Sequence, residues 1–228
     1  MINKLEWDSD FFGIKVGELV MNSDLIIDEP LDYDLIYVKS NSEFDLSIKN
    51  YTKNFSETKI VFSKELKELQ PTNSEIKSIS EIDYDINELY ELAFESGKYS
   101  RFKLDKKIGE ENFKKLYKTW IDNSLNYKFA TDVLLIKINT KVAGFVTYKI
   151  NSEIATIGLI AVSLDHQGQG IGKNLLQEVE NRLFSNDINQ LNIPTQLEND
   201  GACSFYKKNN YKIIESTIIK HFWKHEIF

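Results

Sequence analysis

The feature that most constrains this 228-residue chain is an apolar strand that runs into a glycine-rich turn and then directly into a helix. Residues 154–162 read as the strand. Gly168, Gly170 and Gly172 stand on alternate positions of the turn. In residues 170–184, Ile171, Leu175, Leu176, Val179 and Leu183 recur at helical spacing. Glycines let backbone amides approach an oxyanion closely, and a helix N-terminus adds positive potential. Lys173 in the first helical turn is mildly unfavourable by the dipole alone, and a bound diphosphate would offset that. Two common nucleotide turns fail on spacing. A P-loop needs Ser or Thr after its lysine, where this chain has Asn174. A dinucleotide turn needs G-x-G-x-x-G after the first strand of a βαβ unit, and here G-x-G-x-G follows an antiparallel run. The pattern left is Gln-x-x-Gly-x-Gly, at Gln167, Gly170 and Gly172.

Around this turn the pattern alternates helices with hairpins. Residues 76–79 read as a strand, 83–94 and 110–125 as helices, and 95–109 as irregular. In the second helix Phe113, Leu116, Tyr117, Trp120 and Ile121 form the apolar stripe. Strands are expected at 133–138 and 142–150, joined as a hairpin by Asn139-Thr140-Lys141, and at 191–193 and 211–223, with a helix at 200–209 between the last two. Helices interleaved with hairpins imply a mixed α/β fold rather than an all-parallel sheet. Before this, strands are expected at 14–20, 35–39 and 60–62, and a helix at 42–51 on the imperfect period of Phe44, Leu46, Ile48 and Tyr51. The polar stretch 70–74 is the best linker signal. It divides a small N-terminal α/β region, residues 1–72, from a main domain, residues 73–228.

Composition narrows the function classes. Asp and Glu number 35 against 28 Lys and Arg, a formal charge of −7, and an acidic chain is a poor general partner for nucleic acid. One cysteine, Cys203, and three histidines leave few ligands for a structural zinc, so no metal is expected. No run approaches the roughly 20 apolar residues of a membrane helix, and the first residues lack an apolar signal core. A cytoplasmic protein with no membrane partner is the expectation. A homodimer paired across the long last strand is compatible with the sequence.

Gln167-Gly168-Gln169-Gly170-Ile171-Gly172 resembles the acyl-CoA pyrophosphate loop of the GNAT superfamily of N-acyltransferases. Residues 199–211 resemble that superfamily's second signature, N-x-x-A-x-x-F-Y-x-K-x-G-F, with Asn210-Tyr211 in place of Gly-Phe. Asn is the next-best residue at a left-handed helix C-cap, so the departure is tolerable. The resemblance implies a central mixed, mostly antiparallel, twisted sheet flanked by helices, and acetyl-CoA or another acyl-CoA as co-substrate. Leu159, Ile160, Ala161 and Val162 would pair with pantetheine on a strand that splays from its parallel neighbour. Gln167 to Lys173, which includes Gln169 and Ile171, would hold the diphosphate. Asn199 would bond the pantetheine arm, and Tyr206 would protonate the departing thiolate. The plainer reading of Tyr206 is a core aromatic. The resemblance also implies direct attack in a ternary complex, and Cys203 has no sequence-defined His partner for an acyl-enzyme. No carboxylate stands in residues 157–160. The base that receives the amine's proton is left open among Glu153, His166, His221 and a water chain.

Leu5-Glu6-Trp7-Asp8-Ser9-Asp10-Phe11-Phe12-Gly13, Ser100-Arg101-Phe102 with the Leu116-Tyr117-x-x-Trp120 helix, and His221-Phe222-Trp223 are similar to bacterial N-acetyltransferases of dTDP-linked amino sugars, the dTDP-fucosamine type. That second resemblance implies a nucleotide-linked amino sugar as acceptor. Tyr99, Arg101, Phe102, Trp120 and His221 would contact it. Arg101 is one of only two arginines, and its planar fork suits a diphosphate. A surface salt bridge for Arg101 and core packing for Trp120 are the plainer readings. The alternatives for the whole chain are a GNAT enzyme acting on a peptide, protein or polyamine, and a silent CoA-binding module.

Overall fold

The computed structural model describes residues 2–21, 23–71 and 75–225. The strands are β1 (Asn3–Lys4), β2 (Val16–Val20), β3 (Leu25–Ile27), β4 (Leu35–Ser40), β5 (Leu46–Ile48), β6 (Tyr51–Glu65), β7 (Lys77–Ser78), β8 (Asp132–Ile138), β9 (Lys141–Asn151), β10 (Ile154–Val162), β11 (Gln190–Gln196) and β12 (Lys212–Lys224). The helices are α1 (Glu6–Phe12), α2 (Ile86–Ser96), α3 (Arg101–Leu104), α4 (Glu110–Leu125), α5 (Ile171–Phe184) and α6 (Asp200–Lys208). Ten strands form one sheet in the order β1-β2-β4-β12-β6-β11-β10-β9-β8-β7, with β3-β5 as a separate pair. Among the described residues, β2-β4 and β10-β11 are the parallel pairs of the large sheet and its other neighbours run antiparallel. The expected mixed, mostly antiparallel sheet with flanking helices is therefore the fold.

Each face of the sheet is closed by amphipathic helices. On one, Leu175, Leu176, Val179 and Leu183 of α5 pack with Phe62, Leu191, Ile193 and Tyr206. On the other, Leu89 and Ala93 of α2 and Phe113, Leu116 and Ile121 of α4 pack on Val133, Leu135 and Phe145. Among the described residues no helix is long and apolar enough to cross a membrane.

The N-terminal third differs most from the sequence reading. The helix expected at 42–51 is a short strand, β5, followed by a turn at Asn50 (φ 65°) into β6. Phe44, Leu46 and Ile48 alternate at period two, which is a strand's spacing. The strand expected at 60–62 is the apolar centre of the 15-residue β6. β6 is hydrogen-bonded by β11 on one side and β12 on the other, so the sheet continues from residues before 72 to residues after it. Residues 72–74 of the expected linker, and with them the boundary itself, lie outside the described residues. The last strand is interior: β6 pairs along its length, while β4 pairs only with Ile218–Trp223.

Gly97 ends α2 against the ring of Tyr117. A Cβ at Gly97 would lie 2.3 Å from Tyr117 Cζ, although its backbone (φ −88°) suits any residue. Gly97→Ala is expected to destabilise the fold by about 1–3 kcal/mol through overpacking, read as a lower denaturant midpoint with unchanged slope.

Candidate active site

The two parallel strands at the centre of the sheet separate halfway along. β10 pairs with β11 only over Ile154–Thr156 and Gln190–Asn192. Beyond that, Ile157–Val162 and Ile193–Gln196 diverge and wall a cleft of about 920 Å³. A register shift against β9 between Ile157 and Ile160 accompanies the divergence, and the Leu159 N–H is taken by Thr147 Oγ1 at 2.9 Å. The free edges of the separated strands can pair with an extended ligand as an added strand would.

One end of the cleft is the glycine turn. Gly168 (φ 77°) and Gly170 (φ 83°) adopt the left-handed conformation that L side chains avoid. Gly170 caps α5 without a side chain. The first helical bond is Asn174 N–H to Gly170 O at 3.0 Å, so the amides of Ile171, Gly172 and Lys173 have no partner within the helix. They fit a diphosphate. Gln167 donates its side-chain amide to Val162 O at 3.1 Å, tying turn to strand. Gln169 instead donates to Asp165 O at 3.2 Å and does not line the cleft.

The opposite wall is the N-terminal end of α6. Asn199 accepts the Ala202 N–H at 3.2 Å, so its carbonyl is committed as the N-cap and only its side-chain NH2 is left to donate. Tyr206 lines the cleft with its ring 5.4 Å from both Phe62 and Phe205. Burial pushes its phenol up, so it stays protonated at neutral pH. Cys203, one turn earlier, points its sulfur at the carbonyls of Gln196 and Leu197, and burial raises its thiol. A thiol held protonated is a poor nucleophile. Asn210 takes the left-handed conformation (φ 68°) expected of it after α6.

The other half of the cleft collects charge and aromatic surface. Trp7 and Asp8 come from α1, Glu57 and Lys59 from β6, Tyr99, Arg101 and Phe102 from the α2–α3 segment, and Trp120 from α4. Glu57 accepts the Arg101 N–H at 3.1 Å, and its carboxylate lies 3.8 Å from the guanidinium. Burial raises Glu57 above the ordinary carboxylate range, against the opposing pull of Arg101. Asp8 is raised by burial in the same way. Burial, and next Arg101, lower Lys59. The Arg101 guanidinium sits over the rings of Tyr37 (4.8 Å) and Phe102 (4.7 Å), and Phe102 meets Trp120 edge-on at 5.8 Å.

Thus the structure gathers the sequence-predicted contact residues into one cleft with two exceptions, while Glu153, one of the candidate bases, lies exposed in the turn between β9 and β10, outside the cleft. Gln169 is the first exception. His221 is the second: it is fully buried on β12, away from the cleft, with Nδ1 2.6 Å from Asp105 Oδ2. Burial drives its pKa to about 4 despite that bond, so it is neutral at pH 7 and donates through Nδ1–H. Asp105, which burial alone would raise, is held low by bonds from His221 and Trp223. Both groups bind protons more readily in the unfolded chain. Stability should therefore be complete above about pH 6.5 and fall as pH drops toward 4, and His221→Asn should flatten that slope in urea titrations. Sequence reading missed Asp8, Glu57 and Lys59 as site residues. The signal available was the i, i+2 pair Glu57 and Lys59, which places two charges on one side of a strand.

A family model, the Acetyltransferase (GNAT) family, matches residues 86–211. Three solved structures share the fold. A functionally unknown conserved protein from Staphylococcus epidermidis is 15% identical, with TM-score 0.59 over 85% of this chain and 74% of its own. A protein from Novosphingobium aromaticivorans placed in the GNAT family is 10% identical, with TM-score 0.57 over 88% of this chain and 78% of its own. A GNAT-family acetyltransferase from Colwellia psychrerythraea is 14% identical, with TM-score 0.50 over 85% of this chain and 66% of its own. A search of the curated proteins finds no match. The family match spans more than half of the chain and takes in the separated strand, the glycine turn and α6: the chain belongs to the acetyltransferase (GNAT) family and is an acyl-CoA-dependent N-acyltransferase.

Proposed function

We propose that the acceptor is the amino group of a nucleotide-linked (dTDP) amino-deoxy sugar, acylated with acetyl or another short acyl group, and that such a sugar is this chain's partner. The observation that carries this reading is the pairing of opposite charges beside aromatic surface in one half of the cleft. Asp8 and Glu57, both raised by burial, suit an amine; Lys59 and Arg101 suit a diphosphate. A polyamine offers no anion to the two cations, and a peptide N-terminus offers none as strongly charged as a diphosphate. Trp7 is 45% exposed and stacked flat on Phe11 (5.0 Å, 12°), a rigid ring available to a nucleobase.

Acyl-CoA supplies a thioester carbonyl that a neutral amine attacks, giving an amide and CoA thiol. Glu57, with its raised proton affinity, takes the amine's proton, and Tyr206 gives its proton to the leaving sulfur. Transfer is direct, since Cys203 is held as a thiol. Calorimetry with dTDP tests the acceptor assignment. Stoichiometric binding is expected, and Lys59→Met should weaken it about tenfold by removing a charged hydrogen-bond donor. If dTDP does not bind the wild-type protein, the nucleotide-sugar reading fails.

A further inference from the structure

The helix α3 carries two residues of the acceptor half, Arg101 and Phe102, and its local support is a single turn, with the Lys103 and Leu104 N–H groups both donating to Ser100 O at 3.0 Å. Four residues are too few for a stable helix, and Ser100 gives it no side-chain cap. Its two ends are fastened instead to adjacent strands of the sheet. At the start, Arg101 N–H donates to Glu57 on β6 at 3.1 Å. At the end, Asp105 closes the turn with its own N–H on Arg101 O at 3.0 Å. The Asp105 carboxylate, 2% exposed, then accepts His221 Nδ1–H at 2.6 Å and Trp223 Nε1–H at 2.9 Å, both from β12, and Lys107 N–H at 3.1 Å. His221 and Trp223 are two apart on one strand, so they present to the same side of the sheet.

Stability does not account for this arrangement. His221 Nε2, Tyr37 Oη and Arg101 Nε are buried and have no hydrogen-bond partner among the described residues. They lie together: the His221 and Tyr37 rings are 4.6 Å apart, and the Arg101 guanidinium sits over Tyr37. Unpaired buried polar atoms cost free energy, and apolar side chains in their place would pack more favourably. What the polar set supplies is a fixed direction between β12 and α3, because hydrogen bonds are directional where apolar contacts are not.

We propose that Asp105, His221 and Trp223 form a positioning clasp that sets α3, and through it Arg101 and Phe102, in the acceptor half of the cleft. This rests on the acceptor binding in that half, as proposed above. His221 is thus a positioning residue, which acts on the acceptor without touching it.

The test compares His221→Leu, His221→Asn and Trp223→Phe with the wild type. Amide hydrogen exchange is followed over residues 101–105, and KM is measured for acetyl-CoA and for dTDP-4-amino-4,6-dideoxygalactose. In His221→Leu the amides of 101–105 should exchange about tenfold faster while those of α5 do not, and acceptor KM should rise about tenfold with acetyl-CoA KM within about twofold. His221→Asn, which keeps an N–H donor toward Asp105, should recover most of both. Trp223→Phe should move the same readouts less, and it carries the test if His221→Leu does not fold. Unchanged exchange at 101–105 in the folded variants would overturn the clasp, as would an equal rise in both KM values. Faster exchange in an enzyme whose wild type ignores every dTDP-linked amino sugar tried would support the clasp and overturn the substrate reading alone.

Discussion

Replacing Tyr206 with Phe should lower kcat about 10²-fold or more while moving the KM for acyl-CoA only a few-fold, a general-acid signature. The substitution removes one oxygen and leaves the ring that packs between Phe62 and Phe205, so the fold should survive it. On the proposed mechanism the phenol, raised by burial, would keep its proton until negative charge develops on the sulfur. Steady-state kinetics in both substrates, with a denaturation curve for each protein, separate this outcome from misfolding. An unchanged kcat would remove the acid role.

Glu57→Gln should have an effect of similar size, about 10²-fold in kcat/KM for the amine. It should also remove the acidic limb of the pH profile. Because burial raises Glu57, that limb in the wild type should lie above the ordinary carboxylate range, with activity rising as pH passes through it. Glutamine keeps the size of the side chain and an acceptor oxygen for the Arg101 N–H but loses the charge beside the guanidinium, so the disappearance of the acidic limb, rather than the rate loss alone, reports proton acceptance. A variant with the wild-type limb and rate would place the base elsewhere.

These two residues differ in how far the sequence exposed them. Tyr206 stands in a motif beside Asn199, and the glycine turn was readable because positive φ at Gly168 and Gly170 needs that residue type. The helices α2, α4 and α5 followed from their apolar stripes. Glu57 was hidden for a physical reason. Charged residues such as Glu57 and Lys59 broke the apolar pattern by which β6 would have been recognised as a long strand, and those two face the cleft. The same holds for α3: a one-turn helix fastened by Asp105 to β12 has no periodic signal, since tertiary contacts form it. His221 misled in the other direction. His221 stands in a segment that resembles the dTDP-amino-sugar enzymes, which implied contact with an acceptor, and only the fold shows it buried on β12 and off the cleft lining.

The measurement that bears most directly on the central claim is thiol release from acetyl-CoA with a panel of dTDP-linked amino sugars, with peptides and polyamines beside them, and mass analysis of the acylated product. Turnover confined to the nucleotide sugars, with the acyl group on the sugar nitrogen, is the predicted result. Turnover of peptides or polyamines while every nucleotide sugar stays unmodified would contradict it.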